Sequence, residues 1–434
     1  MEHVRELVAR HFGSRDGELL VGGLAIRDLV ATHGTPVFIY DAAALDRQLA
    51  GLRSAYPAPF EIYYSVKANP CPAVVRHFVS RGLGLEIASA GEFHQALHAG
   101  CEADRILFAG PGKTERELAY VLERGIGEIH VESTLEAERV AAISTRLGIR
   151  TRVALRVNPG AEAQGGAMRM GGKPAPFGVD EEILDEVLDR LLALPSLDLQ
   201  GIHLYAGTQI LDHRILVTQY RRGIEIARRV ADRMARPLRT LDFGGGLGIP
   251  YFASESPLAL APLAEGLAEL VGELANDPRF KDTRFIIEPG RYLAGEAGIY
   301  VTRVNDMKVS RGKTFLIVDG GMNHHLAASG NLGQVIKRNF PAAILNRLDE
   351  ESVMKSDVVG PLCTPLDVIA RDLALPAVEV GDLFGVFQSG AYARSASPLG
   401  FLSQPTPAEI FIRAGEAIVA RRAGSYEETL GDLP

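Results

Sequence analysis

The stretch Tyr63-Tyr64-Ser65-Val66-Lys67-Ala68-Asn69-Pro70 ends a short β-rich run and places a lysine directly after it. By itself, such a lysine is most simply a solvated residue at a strand end. Helical patterns separate this run from further β-rich runs, as in 90–99, 115–124, 134–147, 214–234 and 257–276. The eight β-rich runs are 61–65, 84–88, 105–109, 127–131, 151–157, 199–205, 239–243 and 284–288. This alternation predicts an α/β fold, a (β/α)8 TIM barrel.

Several residues with chemically useful side chains fall at or just after the ends of these runs. They are Lys67, Glu86, Arg156, Tyr205, Gly244 and Glu288. In a (β/α)8 barrel the carboxyl ends of the strands open on one face, and that face carries the active sites of enzymes with this fold. The sequence therefore predicts a site at the mouth of the barrel.

The pattern changes after about residue 296. The later β-rich runs, with few helical stretches between them, are 298–304, 314–318, 382–387 and 408–412. We therefore expect a barrel over 37–296 and a second, mainly β domain made of 1–36 and 297–434. The division at 37 rests on Pro36-Val37-Phe38-Ile39-Tyr40, which we interpret as leading into the barrel. The segment 160–178 is expected to be a long loop within the barrel.

Composition excludes several classes of protein. The chain has 434 residues, of which 47% are hydrophobic, so a large core is expected. A net charge of −8 gives no electrostatic reason to expect a nucleic-acid partner. No apolar run reaches membrane-spanning length, and the first residues lack the order of a signal peptide. Three sparse cysteines, Cys71, Cys101 and Cys363, are typical of reduced thiols, so we expect a cytoplasmic protein.

Four motifs accompany Lys67: Gly244-Gly245-Gly246, Glu288-Pro289-Gly290-Arg291, Gly360-Pro361-Leu362-Cys363-Thr364-Pro365-Leu366-Asp367 and Gly390-Ala391-Tyr392. From about residue 35 to about residue 412 the chain resembles the fold-type III pyridoxal-phosphate decarboxylases, the group of diaminopimelate, ornithine and arginine decarboxylases. The resemblance implies an alanine-racemase-like barrel with a C-terminal mainly β domain. It also implies pyridoxal 5′-phosphate as the cofactor.

The resemblance gives the two central residues their roles. It implies that Lys67 carries the cofactor covalently, and a desolvated barrel mouth would lower the pKa of its amine and favour attack. It implies that Glu288 pairs with the pyridine nitrogen and keeps it protonated, so that the ring accepts electrons when a bond to Cα breaks. Alanine racemases place an arginine at that nitrogen, so the glutamate favours decarboxylation over racemisation.

Glycines after the seventh run let backbone N–H groups approach an anion closely, although a triple glycine by itself is often only a tight turn. The resemblance assigns Gly244–Gly246, Gly290 and Arg291 to the phosphate, and it brings Tyr392 from the β domain. The implied cofactor-binding residues are Lys67, Glu86, Arg156, Tyr205, Thr208, Gly244, Gly245, Gly246, Glu288, Gly290, Arg291 and Tyr392. The implied substrate-binding residues are Arg291, Cys363, Thr364 and Tyr392.

Departures from the family pattern lie beside the cofactor residues. The family writes His-Ile-Gly-Ser-Gln after its sixth strand, and this chain has Tyr205-Ala206-Gly207-Thr208-Gln209. Tyr205 thus replaces the histidine that stacks on the cofactor, and Thr208 replaces the serine. Glu86 replaces an aspartate near the lysine. His203 lies two residues before Tyr205, where it either compensates for the lost histidine or is a core residue.

Cys363 is the second expected catalytic residue. The resemblance implies a head-to-tail homodimer with shared active sites, in which Cys363 enters the site of the other subunit and protonates Cα. In diaminopimelate decarboxylases a glutamate after this cysteine, an arginine and a tyrosine hold the distal end of the substrate. Here those positions are Thr364, Ala327 and Asn331. Three missing anchors argue against free diaminopimelate as substrate.

The variant motifs have a narrower resemblance. The runs 168–178, 201–209 and 319–325, with Cys363-Thr364-Pro365, look like the glutamyl-carrier-protein decarboxylase of butirosin biosynthesis and its relatives. This predicts decarboxylation of an amino acid or aminoacyl substrate tethered to an acyl carrier protein, which would then be a partner. The alternatives are a small free amino acid, a diaminopimelate decarboxylase, a racemase, and a non-catalytic binding protein of the antizyme-inhibitor type.

Two other motifs are decoys. Gly110-Pro111-Gly112-Lys113-Thr114 resembles the end of a P-loop, but Leu107 stands where that loop requires glycine. His324-His325 suggests a metal, but adjacent side chains on an extended segment point apart and no carboxylate cluster accompanies them in sequence. We therefore predict neither a nucleotide site nor a metal site.

Overall fold

The computed structural model describes residues 2–160, 168–169, 174–205, 207–334 and 336–431. The chain divides into two compact units. The barrel unit comprises Leu49–Ile249 and Pro257–Tyr292, and the sheet unit comprises Met1–Gln48, Pro250–Ser256 and Leu293–Pro434. Most of the loop expected at 160–178, and Ala206 of the run 205–209, lie outside the described residues.

The chain begins with two helices and four strands. They are α1 (Glu2–His11), β1 (Gly13–Arg15), β2 (Glu18–Val21), β3 (Leu24–Ala25), α2 (Ile26–His33) and β4 (Val37–Asp41). Strands β1, β2 and β3 form a small antiparallel sheet. The helix α3 (Ala42–Ala55) follows and leads from the sheet unit into the barrel unit.

Eight parallel strands form the closed barrel, which confirms the predicted fold. They are β5 (Phe60–Ser65), β6 (Gly84–Ile87), β7 (Ile106–Phe108), β8 (Glu128–Val131), β9 (Thr151–Asn158), β12 (Leu197–Leu204), β14 (Thr240–Asp242) and β15 (Arg284–Ile287). Each strand pairs with the next, and β15 pairs with β5 to close the ring. Three two-residue strands are accessory: β10 (Met168–Arg169), β11 (Val179–Asp180) and β13 (Gly207–Thr208).

Helices cover the outside of the barrel. They are α4 (Pro72–Ser80), α5 (Ala90–His98), α6 (Glu115–Leu122), α7 (Thr134–Leu147), α8 (Leu184–Leu192), α9 (His213–Met234) and α10 (Leu260–Leu274). Several begin at a capping side chain that satisfies a free backbone N–H at the helix start. Ser89 accepts from the Glu92 amide and Ser133 from the Glu136 amide. These caps fix where the loops that follow β6 and β8 end.

After the short helix α11 (Arg291–Ala294), the rest of the chain is mainly β. Its strands are β16 (Gly298–Ser310), β17 (Lys313–Val318), β18 (Ala342–Ile344), β19 (Met354–Val359), β20 (Val368–Leu375), β21 (Leu383–Val386), β22 (Ala408–Arg413) and β23 (Glu416–Arg421). The main path runs β20-β19-β17-β16-β4-β22-β23, and β21 pairs with β16 and β18. Apolar residues of α1 and α2, such as Leu7 and Ile26, join the core of this sheet.

The expected division of the chain at residue 37 is wrong. Strand β4 pairs antiparallel with β16 and parallel with β22, so it belongs to the sheet unit. The boundary falls instead between Gln48 and Leu49. A short buried β run looks the same whichever sheet it joins, because its partners lie some 260 to 370 residues away. Within the described residues, no helix is both long and apolar enough to cross a membrane.

Candidate active site

Side chains at alternate positions of the barrel strands project into its interior. On β8 these are Glu128 and His130, followed by Glu132 after the strand. On β12 they include His203, on β14 Thr240 and Asp242, and after β15 Glu288. All seven are buried, which is unusual because barrel interiors are normally filled with branched apolar residues. The uppermost of these polar residues, Glu132 and Glu288, follow the carboxyl ends of their strands, where the site is predicted.

Lys67 follows β5 and meets the carboxylate at the end of β6. Its Nζ donates to both oxygens of Glu86, at 2.9 and 2.8 Å. Ser65 Oγ donates to Glu86 Oε2 at 2.5 Å, so the buried carboxylate is held from two sides. The sequence correctly placed Glu86 beside the lysine. The expected desolvation of the amine is wrong, because the Lys67 side chain is 42% exposed and opens towards a cavity.

Glu288 lies at the end of β15, with two imidazoles beside it. His203 Nε2 lies 3.4 Å from its Oε2, and His130 Nδ1 lies 3.9 Å from its Oε1. Burial alone would raise the pKa of the carboxyl, but His203 and Lys67 outweigh burial and lower it below its usual value. Burial lowers the pKa of His203 to about 4, so this imidazole is neutral near pH 7. Glu288 is therefore an ionised carboxylate in the barrel mouth.

The glycine run after β14 packs against the same residues. A Cβ on Gly244, whose φ is +68°, would lie 2.4 Å from the Leu204 carbonyl oxygen. A Cβ on Gly245 would lie 2.5 Å from the Glu288 carbonyl oxygen, and one on Gly290 would lie 2.7 Å from Ala68 Cβ. No other residue type fits these positions without displacing the backbone. The bare backbone beside Glu288 is suited to receive an anion.

Glu132 organises the opposite wall of the mouth. Its Oε1 accepts from Arg156 Nη1 at 2.6 Å and from the Gly110 amide at 2.7 Å. Its Oε2 accepts from the Gly178 amide at 3.0 Å. One buried carboxylate thus joins three loops, and it orients the Arg156 guanidinium, which lies 5.8 Å from the centre of the Tyr205 ring.

These walls enclose a cavity of about 270 Å³ in the barrel unit. It is lined by Lys67, Glu86, Ala88, Ala109, Gly110, Pro111, Arg156, Phe177, His203, Tyr205 and Glu288. Five of the residues predicted from sequence therefore share one cavity: Lys67, Glu86, Arg156, Tyr205 and Glu288. Thr208, in β13, is half-buried and pairs with Met168, and Arg291 is half-buried at the start of α11.

The remaining predicted residues lie in the sheet unit. Cys363 is a free, exposed thiol, and Tyr392 is half-buried with a φ of 52°. Asp367 accepts from the Met322 amide at 2.6 Å and from the Leu362 amide at 2.9 Å. This buried carboxylate ties the Gly-Gly-Met turn to the loop that carries Cys363, which explains why both motifs occur together.

The side chains of the P-loop-like motif and of the His324-His325 pair are held by other residues of the protein. Lys113 is buried, and its Nζ donates to Glu136 Oε1 at 2.6 Å and to two backbone carbonyls. His324 lies 3.1 Å from both the Tyr300 hydroxyl and the Pro405 carbonyl, and His325 Nε2 lies 2.9 Å from Ser389 Oγ. Both imidazoles are therefore engaged within the sheet unit. The absence of a metal site stays a prediction.

Sequence reasoning missed three residues of the interior: His130, Asp242 and Glu132. His130, His203, Asp242 and Glu288 bring one ligand-capable atom each within 4.8 Å of one another. The signal was present, because charged residues alternate along 128–132 in a strand otherwise typical of a buried sheet. Only the folded barrel shows that these residues meet Glu288.

The geometry fits pyridoxal 5′-phosphate. The cavity offers an amine at Lys67, and Glu288 Oε1 has no hydrogen-bond partner among the described residues although it is buried. A buried acceptor without a donor is costly, and a protonated pyridine nitrogen would satisfy it. The tightly packed glycines beside Glu288 form the kind of loop from which backbone amides bind a phosphate. Amine, carboxylate and anion cradle are the three contacts that this cofactor requires.

Comparisons with known proteins agree with this chemistry. Residues 42–295 match the family model described as the pyridoxal-binding domain of pyridoxal-dependent decarboxylases. The chain is 38% identical over 406 residues to an L-glutamyl-[BtrI acyl-carrier protein] decarboxylase of Niallia circulans, covering 93% of this chain and 94% of the relative. It is 31% identical over 427 residues to a diaminopimelate decarboxylase of Zymomonas mobilis, covering 97% and 98%.

A solved structure shows the same architecture. The diaminopimelate decarboxylase of Helicobacter pylori, in complex with L-lysine, superposes with a TM-score of 0.83 at 29% identity, covering 93% of this chain and 98% of that one. The matched region includes both the barrel and most of the sheet unit. Lys67, Glu288 and the glycine run therefore stand within a known kind of enzyme, and the chain belongs to the pyridoxal-dependent decarboxylase family.

Proposed function

We propose that this enzyme decarboxylates an amino acid whose side chain is linked to an acyl carrier protein. The observation that carries the proposal is that the residues at the positions expected to hold the distal end of a free substrate are not available to do so. Asn331 Nδ2 donates to Ser329 Oγ at 2.7 Å and to the Leu366 carbonyl at 3.1 Å. Its Oδ1 accepts from Lys337 Nζ at 2.5 Å. This amide is used up within its own unit and offers nothing to a distal carboxylate.

The other two anchor positions support the same conclusion. Thr364 Oγ1 accepts from the Leu366 amide at 3.3 Å, so its hydroxyl also serves the local turn. Ala327 has no polar side chain at all. A side chain joined to a carrier has no free distal charge, so it needs no charged clamp. The relative from Niallia circulans, whose name specifies an acyl-carrier-protein substrate, lends further support.

Pyridoxal phosphate, when bound, supplies an electron sink for the pair left by the departing carboxylate. The residues of the chain bind the cofactor and orient its reactive groups. Lys67 holds the cofactor, and Glu86 takes or returns a proton at the lysine Nζ. Glu288 would keep the ring nitrogen protonated, because its own carboxyl is ionised. Ala88, Ala109 and Phe177 give the cavity apolar surface, which favours the loss of a charged carboxylate.

We further infer a homodimer in which Cys363 of one subunit serves the site of the other. The exposed free thiol supports this arrangement, because a thiol is a suitable proton donor to Cα and this one is accessible to a partner. Mixing Lys67→Ala with Cys363→Ala protein after subunit exchange is expected to restore about a quarter of wild-type activity, since half of the dimers then carry one intact site. Mixtures as inactive as either variant would refute shared sites.

The substrate proposal is tested by carbon dioxide release from the pyridoxal-loaded enzyme. The substrates are a glutamyl carrier protein and free glutamate, lysine, ornithine, arginine and diaminopimelate. We expect release from the tethered substrate alone. Thr364→Glu is expected to leave cofactor absorption unchanged and to slow turnover of the tethered substrate.

Diaminopimelate decarboxylation is the second candidate, favoured by the relative from Zymomonas mobilis and the structure from Helicobacter pylori. Brisk release of carbon dioxide from free diaminopimelate would favour it and would refute the carrier-linked substrate. Racemised product without carbon dioxide would exclude both.

A further inference from the structure

Asp242 lies close to two parts of the proposed cofactor site, the glycine run at Gly244 and the carboxylate of Glu288. It lies on β14, has no solvent exposure, and its Oδ1 accepts from the Gly244 amide at 2.8 Å. Its Oδ2 has no hydrogen-bond partner among the described residues and lies 4.0 Å from His130 Nε2. The same carboxyl belongs to the cluster in which Glu288 lies within 4.8 Å. One side chain thus reaches both the glycine cradle and the ring-nitrogen carboxylate.

The charges around Asp242 do not balance if it is ionised. Two other buried carboxylates face it, Glu128 from β8 and Glu288 from β15. Three strong cations near the site are already paired with other carboxylates, Arg284 with Glu128, Lys67 with Glu86 and Arg156 with Glu132. A second ionised carboxylate beside Glu288 would stand uncompensated in a dry interior.

The imidazoles of His203 and His130 do not compensate a negative charge on Asp242. His203 is neutral near pH 7 because burial lowers its pKa to about 4. His130 has three carboxylates around it, with its Nε2 3.4 Å from Glu128 Oε1 as well as 4.0 Å from Asp242. Burial, with Glu288 nearby, raises the pKa of Asp242 well above its usual value. In such a coupled pair of carboxyls, a single proton on Asp242 leaves Glu288 as the ionised member.

We propose that Asp242 is a neutral carboxylic acid that accepts from the Gly244 amide at Oδ1 and carries its proton on Oδ2, which faces the cluster containing His130 and Glu288. The proposal rests on the cofactor roles assigned to Gly244 and Glu288. Asp242 is then a positioning residue, because it acts through the phosphate loop and through the carboxylate. It keeps Glu288 as the one ionised acid at the ring nitrogen.

The proposal makes an unusual prediction for substitutions. Asparagine can accept from the Gly244 amide with its oxygen and donate from the place of the Oδ2 proton, so Asp242→Asn preserves both interactions. Asp242→Ala removes both, and it leaves the buried Gly244 amide without its acceptor and the cluster around His130 and Glu288 without a donor. The affinity of Asp242→Asn for pyridoxal phosphate is expected to stay within about threefold of wild type, and that of Asp242→Ala to fall on the order of 10-fold to 100-fold.

The protonation state is measured directly by infrared spectroscopy of the pyridoxal-loaded enzyme at mildly alkaline pH. Wild type is expected to show the carbonyl band of a protonated carboxylic acid, shifted by ¹³C-labelling of aspartate and absent from Asp242→Asn. Labelling identifies the band as that of an aspartic acid, and its loss from Asp242→Asn assigns it to Asp242 and not to Asp41, Asp319 or Asp367, whose pKa values burial also raises. No such band, or an Asp242→Asn protein that loses the cofactor as Asp242→Ala does, would overturn the proposal.

Two controls distinguish a neutral Asp242 from a bound metal ion and from a wrongly assigned phosphate loop. Stoichiometric metal in the purified enzyme that is lost with Asp242→Asn would mean that the cluster binds a cation, and would also overturn the neutral-acid proposal. If Gly244→Ala leaves pyridoxal phosphate affinity unchanged, the assigned phosphate role fails. The aspartic acid band would still support a protonated Asp242 in that case, so the two failures are distinguishable.

Discussion

Replacing Glu132 by alanine tests whether one carboxylate holds the wall of the active site. The residue is buried, and it accepts hydrogen bonds from Arg156 and from the amides of Gly110 and Gly178. Arg156 is itself only 8% exposed, so the substitution leaves a guanidinium with little access to water. The change therefore combines a stranded buried charge with two loops released from a common anchor.

The magnitude follows from these contacts. Breaking a buried ion pair by removing one partner costs about 3–5 kcal/mol. The Gly110 and Gly178 amides add little if water enters from the cavity, so about 4 kcal/mol is a reasonable value for the loss of unfolding free energy. Glu132→Gln keeps one acceptor oxygen and removes the charge, and about half that loss is expected. The matched control is Glu186→Ala, which removes an exposed pair with Arg190 and costs about 0.3–0.5 kcal/mol.

Urea unfolding followed by circular dichroism measures these differences. Burial tends to raise the pKa of Glu132, but the Arg156 guanidinium outweighs it and the folded-state pKa is lowered. The ion pair's contribution is therefore complete above the unfolded pKa and is lost as the pH falls below it. The gap between wild type and Glu132→Ala should narrow in acid. A Glu132→Ala protein no less stable than Glu186→Ala at neutral pH would refute the reasoning.

Three further outcomes are expected. Gly244→Ala should weaken pyridoxal phosphate binding by about tenfold or more in equilibrium dialysis, because its Cβ meets a carbonyl at 2.4 Å, whereas Gly272→Ala, with open space around it, should not. Glu288→Gln should retain bound cofactor by absorption but lose about 100-fold in turnover, and unchanged turnover would contradict its role. Burial lowers the pKa of His325 to about 3, so the unfolded chain alone takes up this proton below about pH 6.5. From this group, stability should fall by at most about 1.4 kcal/mol for each unit by which the pH decreases, and urea titrations of His325→Gln, with exposed His98→Gln as control, should show a shallower slope.

The barrel could be predicted because each of its strands carries a local signal. The eight β-rich runs lie between helical stretches, and capping residues such as Ser89 and Ser133 mark where helices begin. Strand Val37–Asp41 carries an equally clear local signal, but its sheet is decided by pairing with Gly298–Ser310 and Ala408–Arg413. Such long-range pairing leaves no trace in a single sequence. The boundary between the units was therefore misplaced.

In the candidate site, too, the sequence predicted some features and could not predict others. Lys67, Glu86 and Glu288 were predicted because motifs place them at strand ends, and the barrel brings all three to one cavity. The environment of each side chain could not be predicted. Only the folded strands show that Lys67 is partly exposed, or that His130 and Asp242 stand beneath Glu288.

The polar interior of the barrel explains why these residues occur together. Of the three buried carboxylates Glu128, Asp242 and Glu288, only Glu128 is paired with a guanidinium among the described residues, that of Arg284. Under the two proposals above, these charges are compensated without a further cation from the chain. A protonated pyridine nitrogen would meet the ionised Glu288, and the proposed proton on Asp242 would remove the remaining charge. The stability of the barrel and the binding of its cofactor therefore depend on the same few side chains.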